Sequence, residues 1–260
     1  MTPPVPSSRS RAIPRPPRRP DLAVRERDER ELMDDPDCDP AALRRTYALF
    51  RPINRLVAGW RRIYTRQLRP ALSSTRATTL LDIGSGGGDV PRSLAGWAAR
   101  DGLLLDVTAI DPDARAHDFA SALEPVPDVR FRRMRSAELV AAGERFDIVT
   151  SNHLLHHLQL ADLAALLGDS ERLARRLVVH NDIARSGLAY GAYRAATVPL
   201  ARDSFVHFDG SLSIRRSYRA PELRGALRAI GADDRWRVDT SVPFRVILRW
   251  TPPRDGRRRA

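Results

Sequence analysis

The sequence is poor in residues that several kinds of chemistry require. It contains one cysteine, Cys38, so no disulfide can form within the chain and a cysteine-rich metal site is excluded. All 44 basic residues are arginine, and the absence of lysine excludes a catalytic Schiff base. No run of about 18 apolar residues is present, and the N-terminus lacks the apolar segment of a signal peptide. These absences predict a cytoplasmic protein without a membrane span.

The net charge of +12 lies mostly at the two ends of the chain. Residues 1–20 contain five arginines and no acid, and residues 254–260 contain four arginines against one aspartate. Neither segment can bury a core, so we interpret 1–20 as a disordered Pro/Arg-rich tail and 254–260 as a basic tail. Solvated tails explain this charge more simply than a nucleic-acid surface does. Nucleic acid is therefore not the expected partner.

A glycine-rich turn follows a short apolar run at residues 79–90, whose sequence is TLLDIGSGGGDV. Residues 80–83 are predicted to form a buried strand and residues 90–99 a helix, with the glycines between them. A dinucleotide-binding turn would carry a third glycine where this chain has Asp89. Asp82 and Asp89 flank the turn, where their charges would repel a pyrophosphate and attract an ammonium or sulfonium group. The pattern favours a cationic, phosphate-free cofactor.

This stretch resembles the first motif of the class I S-adenosylmethionine-dependent methyltransferases, which reads apolar-apolar-acid-apolar-Gly-x-Gly-x-Gly. The resemblance implies a doubly wound, Rossmann-like α/β domain at residues 76–253, with a seven-stranded sheet whose last strand is antiparallel. It also implies S-adenosylmethionine as the cofactor. Asp82 would then lie near the methionine end of the cofactor. The residues of the turn that would pass close to it are Gly84, Ser85, Gly86 and Gly88.

Residues 21–75 are predicted to form an N-terminal helical cap. Apolar residues recur at helical spacing from Pro40 to Phe50 and again from Ile53 to Leu68, and Pro52 is expected to separate two helices. In this family such a cap often covers the substrate. An equally simple interpretation is that these helices only cover one end of the sheet.

Three further polar residues follow predicted strands and are candidate cofactor ligands. Asp111 follows a strand at 103–110, where an acid can accept hydrogen bonds from both ribose hydroxyls, although it could also cap a helix. Ser136 follows a strand at 129–134, at the place where the family often has an acid that contacts adenine. Asn152 follows a strand at 146–150 that should adjoin the first strand, so it is expected near the transferable methyl group.

The histidines after that strand raise two hypotheses. His153 and His157 are four residues apart and could hold a metal on one helix face, but no glutamate lies between them and no cysteine accompanies them, so no metal is predicted. A general base is better supported, because histidine titrates near neutral pH, and His153 is the preferred candidate. His180 and Asp182, at the end of a strand at 176–180, are alternative bases or substrate ligands.

The remaining C-terminal residues complete the predicted sheet. Residues 201–217 are expected to be irregular, residues 221–230 to form a helix, and residues 236–240 and 244–250 to form an antiparallel pair of strands. Irregular insertions at this place often carry substrate-specific elements in the family. The alternative is that residues 201–217 form a surface loop without a function.

The sequence as a whole favours methyl transfer from S-adenosylmethionine to a small molecule, with a phenolic or quinone-like metabolite as the acceptor and oxygen as the methylated atom. The segment after the fourth strand lacks the Asn/Asp-Pro-Pro-Tyr/Phe motif of methyltransferases that act on exocyclic amines, which argues against a DNA target. RNA methylation, suggested by the arginine tails, is one alternative. A catalytically idle module that keeps the cofactor fold for protein interaction is another. None of these three hypotheses implies a particular oligomeric state.

Overall fold

The computed structural model describes residues 13–253, which contain a single seven-stranded sheet. The strands are β1 (Thr78–Ile83), β2 (Leu105–Ile110), β3 (Val129–Arg132), β4 (Phe146–Asn152), β5 (Ala174–Ile183), β6 (Arg237–Ser241) and β7 (Arg245–Trp250). Their order in the sheet is β3-β2-β1-β4-β5-β7-β6. β1 to β5 pair in parallel, whereas β7 is antiparallel to both of its neighbours. The predicted doubly wound sheet with a reversed last strand is confirmed.

Helices cover both faces of the sheet. They are α1 (Pro40–Val57), α2 (Trp60–Ile63), α3 (Asp89–Arg100), α4 (Ala114–Ala122), α5 (Ser136–Ala141), α6 (Leu160–Leu173), α7 (Gly187–Thr197), α8 (Val206–Arg216) and α9 (Ala220–Ala229). Neighbouring strand residues point to opposite faces, so Leu80 packs in the core beside α2 and α3, and Leu81 in the core beside α5, α6 and α9. Because both faces are covered, the central strands are apolar almost throughout.

The first helix does not end at Pro52, so the predicted interruption there is wrong. α1 begins at Pro40, where the side chain of Asp39 accepts hydrogen bonds from the N–H groups of Ala41 and Ala42, and it runs through Pro52 to Val57. The chain instead breaks at Gly59, which has a φ of +70° that disfavours other residues. A proline within a helix can be tolerated as a kink. The two cap helices are therefore divided seven residues later than the sequence suggested.

The N-terminal segment, residues 13–39, crosses the molecule with little regular structure apart from a single helical turn at Leu32–Asp34. Arg25 holds this segment in place by donating from Nη2 to the backbone carbonyls of His156 and Leu158, at 2.9 and 3.1 Å. Tyr190 in α7 donates to the carbonyl of Pro17, so residues near Pro17 lie against the folded chain. Of the predicted tail at residues 1–20, residues 1–12 lie outside the described residues, and so does the predicted basic tail at residues 254–260.

The segment at 201–217 is not irregular, and that prediction is wrong because residues 206–216 form α8. Nearly every residue of α8 is buried, including the polar His207, Asp209 and Ser213. A helix that is buried on all sides and carries glycine and serine shows no apolar stripe, so its sequence gave no helical signal. α8 packs on α7 and on the turn Leu155–His157, which follows β4. Within residues 13–253, no helix is long and apolar enough to cross a membrane.

Candidate cofactor and acceptor site

The glycine turn after β1 presents bare backbone at the carboxyl edge of the sheet. Gly86 has a φ of +51°, and a Cβ added there would meet nothing within 4 Å, so its backbone faces open space. Gly88, with a φ of +77°, directly precedes α3, and a Cβ there would lie 2.6 Å from the ring of Phe131. The N–H groups of Gly84 and Ser85 donate to the carbonyl of Ile110 at the end of β2. A side chain at these positions would fill the space or strain the turn.

Three carboxylates surround this turn. Asp111 accepts hydrogen bonds from the backbone N–H of Gly86 to Oδ2 and of Asp113 to Oδ1, each at 2.9 Å. Asp82 is fully buried and accepts a hydrogen bond of 2.7 Å from the hydroxyl of Thr150. Burial, together with the charges of Asp89 and Asp111, raises the pKa of Asp82 to about 7. Such a concentration of negative charge suits a ligand that carries an ammonium or sulfonium group.

The carboxyl ends of β4 and β5 meet a buried arginine from β7. Arg245 is buried and donates to Nε2 of His153 at 2.9 Å, to Oδ1 of Asn181 at 3.1 Å and to Oδ1 of Asn152 at 3.4 Å. Within the described residues no carboxylate accepts a hydrogen bond from Arg245. Burial lowers the pKa of Arg245 only to about 10, so it remains charged at neutral pH. The charge of Asp182 acts to raise the pKa of Arg245, but no carboxylate is hydrogen-bonded to the guanidinium within the described residues. A buried cation without a direct ion pair therefore lies at the edge of the sheet where the cofactor turn also ends.

Comparisons with known proteins agree with this geometry. The family described as "Methyltransferase domain" matches residues 81–177, which begin in β1 and end in β5. The observed sheet is doubly wound, as the resemblance implied. The glycine turn follows β1 and Asp111 follows β2, also as expected. Residues 81–177 are therefore a methyltransferase domain, as the resemblance to the class I S-adenosylmethionine-dependent methyltransferases implied. S-adenosylmethionine is the cofactor that this resemblance implies.

A curated relative of this methyltransferase is the ubiquinone biosynthesis O-methyltransferase of Methylobacterium sp. (strain 4-46). The two are 38% identical over 95 residues, which cover 34% of this chain and 33% of the relative. The match thus spans about a third of the relative's length.

Solved structures share the fold at low sequence identity. The plantazolicin methyltransferase BpumL, in complex with a triazolic desmethylPZN analog and SAH, is 15% identical, with a TM-score of 0.59 over 85% of this chain and 92% of that chain. Human N-acetylserotonin methyltransferase in complex with SAM is 10% identical, with a TM-score of 0.57 over 82% of this chain and 56% of that chain.

Two of the predicted cofactor ligands already have partners within the methyltransferase. Ser136, the first residue of α5, donates from its hydroxyl to Oδ2 of Asp169 at 2.7 Å and keeps lone pairs for a further contact. Asn152 accepts from Asn181 Nδ2 at 3.1 Å and from Arg245 at 3.4 Å. Asn152 therefore lies with the Arg245 group, whereas Gly86 and Asp111 lie together at the turn.

His153 does not lie on a helix with His157. It has a left-handed φ of +56°, its backbone N–H donates to the carbonyl of Asn181, and the turn Leu155–His157 follows it. The helical His153–His157 pair considered from the sequence is therefore absent. Burial and the neighbouring Arg245 hold the pKa of His153 well below 6.5, so its ring is neutral at pH 7. Because a guanidinium can only donate, Nε2 accepts and the proton of the neutral ring lies on Nδ1.

Asp182, near the end of β5, lies in a second buried polar group, which it forms with His156 from the turn after β4. It accepts from Nδ1 of His156 at 2.8 Å and from the backbone N–H of His156 at 2.9 Å. Burial acts to raise the pKa of Asp182, but His156 outweighs it and holds that pKa well below 3.8. Burial acts to lower the pKa of His156, but Asp182 and Glu31 raise it to about 9. Asp182 thus orients His156 and has no free oxygen for a substrate proton.

His180 lies inside the core beneath α6. Its ring contacts the hydroxyl of Ser151 at 2.7 Å and that of Ser170 at 3.2 Å, and it stacks on Trp236 with the ring centroids 5.6 Å apart. The side chain is fully buried, and burial lowers its pKa to about 3. The structure therefore does not bring His180 to the edge where the other candidates meet.

Sequence reasoning missed two residues that the fold brings to this region. Arg245 starts β7 and Glu31 lies in the N-terminal segment, 92 and 125 residues from His153 and His156 in the sequence. Because all 44 lysine-or-arginine positions in this chain are arginine, an additional arginine did not stand out as a candidate site residue. An arginine placed among the apolar residues that follow it, Val246, Ile247 and Leu248, was the one available indication that its charge is buried.

Proposed function

We propose that this methyltransferase transfers a methyl group from S-adenosylmethionine to an oxygen atom of a small phenolic or quinone-like acceptor. The buried charge of Arg245, which lies beside neutral His153 and is hydrogen-bonded to no carboxylate within the described residues, carries this proposal. His153 follows β4, which adjoins β1, and Arg245 starts the antiparallel β7 opposite the end of β5. Both groups thus lie at the edge of the sheet where an open α/β sheet binds its ligands. A hydroxyl group bound there would lose its proton more readily, because the guanidinium stabilises the phenolate.

The cofactor would be held by the turn and by the acid after β2. In this proposal Asp111 accepts hydrogen bonds from the ribose hydroxyls, while its contact with the N–H of Gly86 fixes the carboxylate. The open backbone at Gly86 allows close approach, and the charge of Asp82 lies behind the turn near the methionine end. When bound, S-adenosylmethionine supplies a methyl group on a sulfonium, which is activated toward nucleophiles.

The contact with Arg245 changes the role we propose for His153. A general base must offer a free lone pair, and the Nε2 lone pair of His153 is engaged by Nη1 of Arg245. The Nδ1–H group can still donate to the acceptor oxygen. His153 would therefore help to orient and stabilise an ionised acceptor, whose proton leaves to solvent before methyl transfer. Orientation of two reactants can supply much of the rate enhancement without a base.

The named activity of the bacterial relative supports the oxygen acceptor. That protein is a ubiquinone biosynthesis O-methyltransferase, and it is 38% identical to this chain over 95 residues. We therefore propose the class of acceptor and the methylated atom, and no individual compound.

The test is a methylation assay of the full chain with S-adenosylmethionine and a panel of monophenols, catechols and hydroquinones, with product masses recorded. Arg245→Gln should lower kcat by about 10²-fold, the loss typical of removing one stabilising donor. Arg249→Gln is the matched control, because Arg249 lies on the same strand and pairs with Asp239 at 3.1 Å. Calorimetric binding of S-adenosylhomocysteine verifies that each variant is folded. Equal activity of the two variants, or methylation of nitrogen alone, would refute the proposal.

A second candidate, RNA methylation, is favoured by one surface. A groove of about 970 Å³ runs along the outer side of α3 next to Gly87 and Asp89. Its arginines are Arg51, Arg55, Arg61, Arg92 and Arg100. Phosphate groups of a nucleic acid could bind there.

Replacing Arg51 and Arg55 together by glutamine separates the two candidates, because neither side chain pairs with a carboxylate within the described residues. Loss of methylation of transfer or ribosomal RNA, with phenol methylation and cofactor binding unchanged, would support the RNA activity. Absence of any RNA product from the unmodified chain would exclude it.

A further inference from the structure

A buried cluster beside the acceptor region has the composition of a metal site. The Glu31 cluster consists of Glu31 from the N-terminal segment and of His156 and His157 from the turn after β4. Oε1 of Glu31 lies 3.4 Å from Nε2 of His156 and 3.8 Å from Nε2 of His157. One ligand atom from each of the three residues lies within 4.8 Å of the others.

The two separations from Glu31, 3.4 and 3.8 Å, are close to those that a tetrahedral ion requires. Zinc binds imidazole nitrogen and carboxylate oxygen at about 2.0–2.2 Å, which places neighbouring ligand atoms about 3.3–3.5 Å apart. We propose that Glu31, His156 and His157 bind a zinc ion, with the fourth position open to water. Two imidazoles and one carboxylate form a donor set that zinc prefers, whereas Mg²⁺ and Ca²⁺ prefer oxygen ligands alone.

A second layer of carboxylates supports the proposed ligands. Metal-binding histidines usually donate their other ring N–H to a carboxylate, which fixes the ring. Asp182 lies 2.8 Å from Nδ1 of His156, and Asp34 lies 3.7 Å from Nδ1 of His157. The hydroxyl of Ser213 in α8 donates to Oε1 of Glu31 at 2.6 Å. His156 and Glu31 thus have hydrogen-bonded outer partners, and the carboxylate of Asp34 lies near His157 without a direct hydrogen bond.

One nitrogen of this cluster is buried without a partner. Nε2 of His156 makes no hydrogen bond within the described residues, because its approach to Glu31 is poorly aligned for one. The side chain of His156 is 1% exposed, so water does not satisfy this nitrogen from outside. A buried polar atom without a partner is costly, and a bound ion would satisfy it. Zinc would displace a proton from this nitrogen to solvent.

An ion could enter from the surface on the His157 side. The side chains of His157 and Asp34 are 28% and 45% exposed, and they border the cluster opposite buried Asp182. Bound zinc would join the N-terminal segment to the turn that follows β4, two parts of the chain that are far apart in sequence. This link involves neither the glycine turn nor Arg245, so it is independent of cofactor binding and of the acceptor proposed above.

The experiment is a titration of the chelator-treated full chain with ZnCl₂ in competition with a chromophoric chelator, repeated with CoCl₂ to read the visible spectrum. We expect one ion per chain and the intense bands of four-coordinate cobalt. His157→Gln should weaken zinc binding at least about 10-fold, as changes around metal ligands typically do. Because His157 is partly exposed, this variant leaves the core intact. Asp182→Asn, which alters only the outer partner of His156, should weaken binding by about 10- to 100-fold.

The control is His117→Gln, which removes a histidine on α4 away from the cluster and should leave zinc binding unchanged. Thermal unfolding gives a second readout, since zinc at the same concentration should raise the Tm of the unmodified chain and of the control by more than that of His157→Gln. Unchanged zinc affinity in His157→Gln would overturn the proposal. So would absence of binding to the unmodified chain, or binding of Mg²⁺ as tight as that of zinc.

Discussion

Arg245 donates a hydrogen bond from Nη1 to Nε2 of His153 across 2.9 Å, and this contact joins β7 to the turn after β4. A guanidinium has no acceptor atom and stays protonated, so the direction of the bond is fixed. The contact therefore decides which nitrogen of His153 carries the proton. In our proposal His153 therefore acts as a hydrogen-bond donor, whereas the sequence suggested a base.

The first prediction separates these two roles of His153. A glutamine in its place can accept from Arg245 and donate to a substrate, but it cannot take up a proton. His153→Gln should keep kcat within about 10-fold of the unmodified enzyme, because removal of a true general base typically costs ~10²- to 10⁴-fold. Steady-state kinetics with the best phenolic acceptor measure this. If His153→Gln instead lowers kcat by more than about 10²-fold and removes the acid limb of the kcat–pH profile, His153 acts as a general base.

The second prediction concerns the packing of the glycine turn. Gly88→Ala places a Cβ 2.6 Å from the ring of Phe131 at a φ of +77°, whereas Gly102→Ala meets nothing within 4 Å at a φ of +68°. Both variants carry the backbone strain of about 1–2 kcal/mol, and only Gly88→Ala adds overpacking of about 1–3 kcal/mol. Urea unfolding should show the larger loss for Gly88→Ala. Adding Phe131→Ala should recover part of the difference, and equal losses would contradict the contact.

The third prediction follows from the raised pKa of Asp82. Its pKa is about 7 in the folded chain, raised mainly by burial from a usual value of 3.8. The folded state therefore keeps a proton that the unfolded chain releases above about pH 4, so stability falls as the pH rises from 4 to 7 and then levels off. Asp82→Asn should remove this fall, leaving the variant about 1–4 kcal/mol more stable relative to the unmodified chain at pH 8 than at pH 4.

Urea unfolding between pH 4 and pH 8 checks this prediction, with Asp106→Asn as a control that removes one carboxylate from the neighbouring strand β2. Asp106 lies at the surface, where it pairs with Arg130 at 2.7 Å. A pH dependence that is unchanged in Asp82→Asn would show that its burial does not destabilise the charged form. The same change in both variants would assign the effect to overall charge.

The sequence predicted the sheet because its strands carry local signals. The apolar run at Leu80–Ile83 and the glycines after it need no distant residue to be recognised, and the observed β1 begins only two residues earlier. Burial of both faces produces such runs in every central strand. The fully buried α8 gave no such signal, since a helix that contacts protein on all sides has no periodic polar face.

The polar contacts of the site could not be predicted in the same way. The pairings of Glu31 with His156 and of Arg245 with His153 join residues about 90 or more positions apart, and they depend on which strands become neighbours. His180 is the converse case, because a residue that the sequence placed at the site lies elsewhere in the structure. Its position at a strand end suggested the ligand crevice, but the alternation of side chains along β5 turns it toward Trp236 in the core.

The central claim is that the glycine turn and Asp111 bind S-adenosylmethionine. It is tested most directly by calorimetric titration of the full chain with S-adenosylmethionine and S-adenosylhomocysteine, alongside Asp111→Ala and the control Asp106→Ala. We predict that both ligands bind with one site per chain. Asp111→Ala should weaken them by about 10- to 100-fold, the loss expected for hydrogen bonds to a charged group. Absence of binding to the folded chain, or equal affinities in the two variants, would contradict the account.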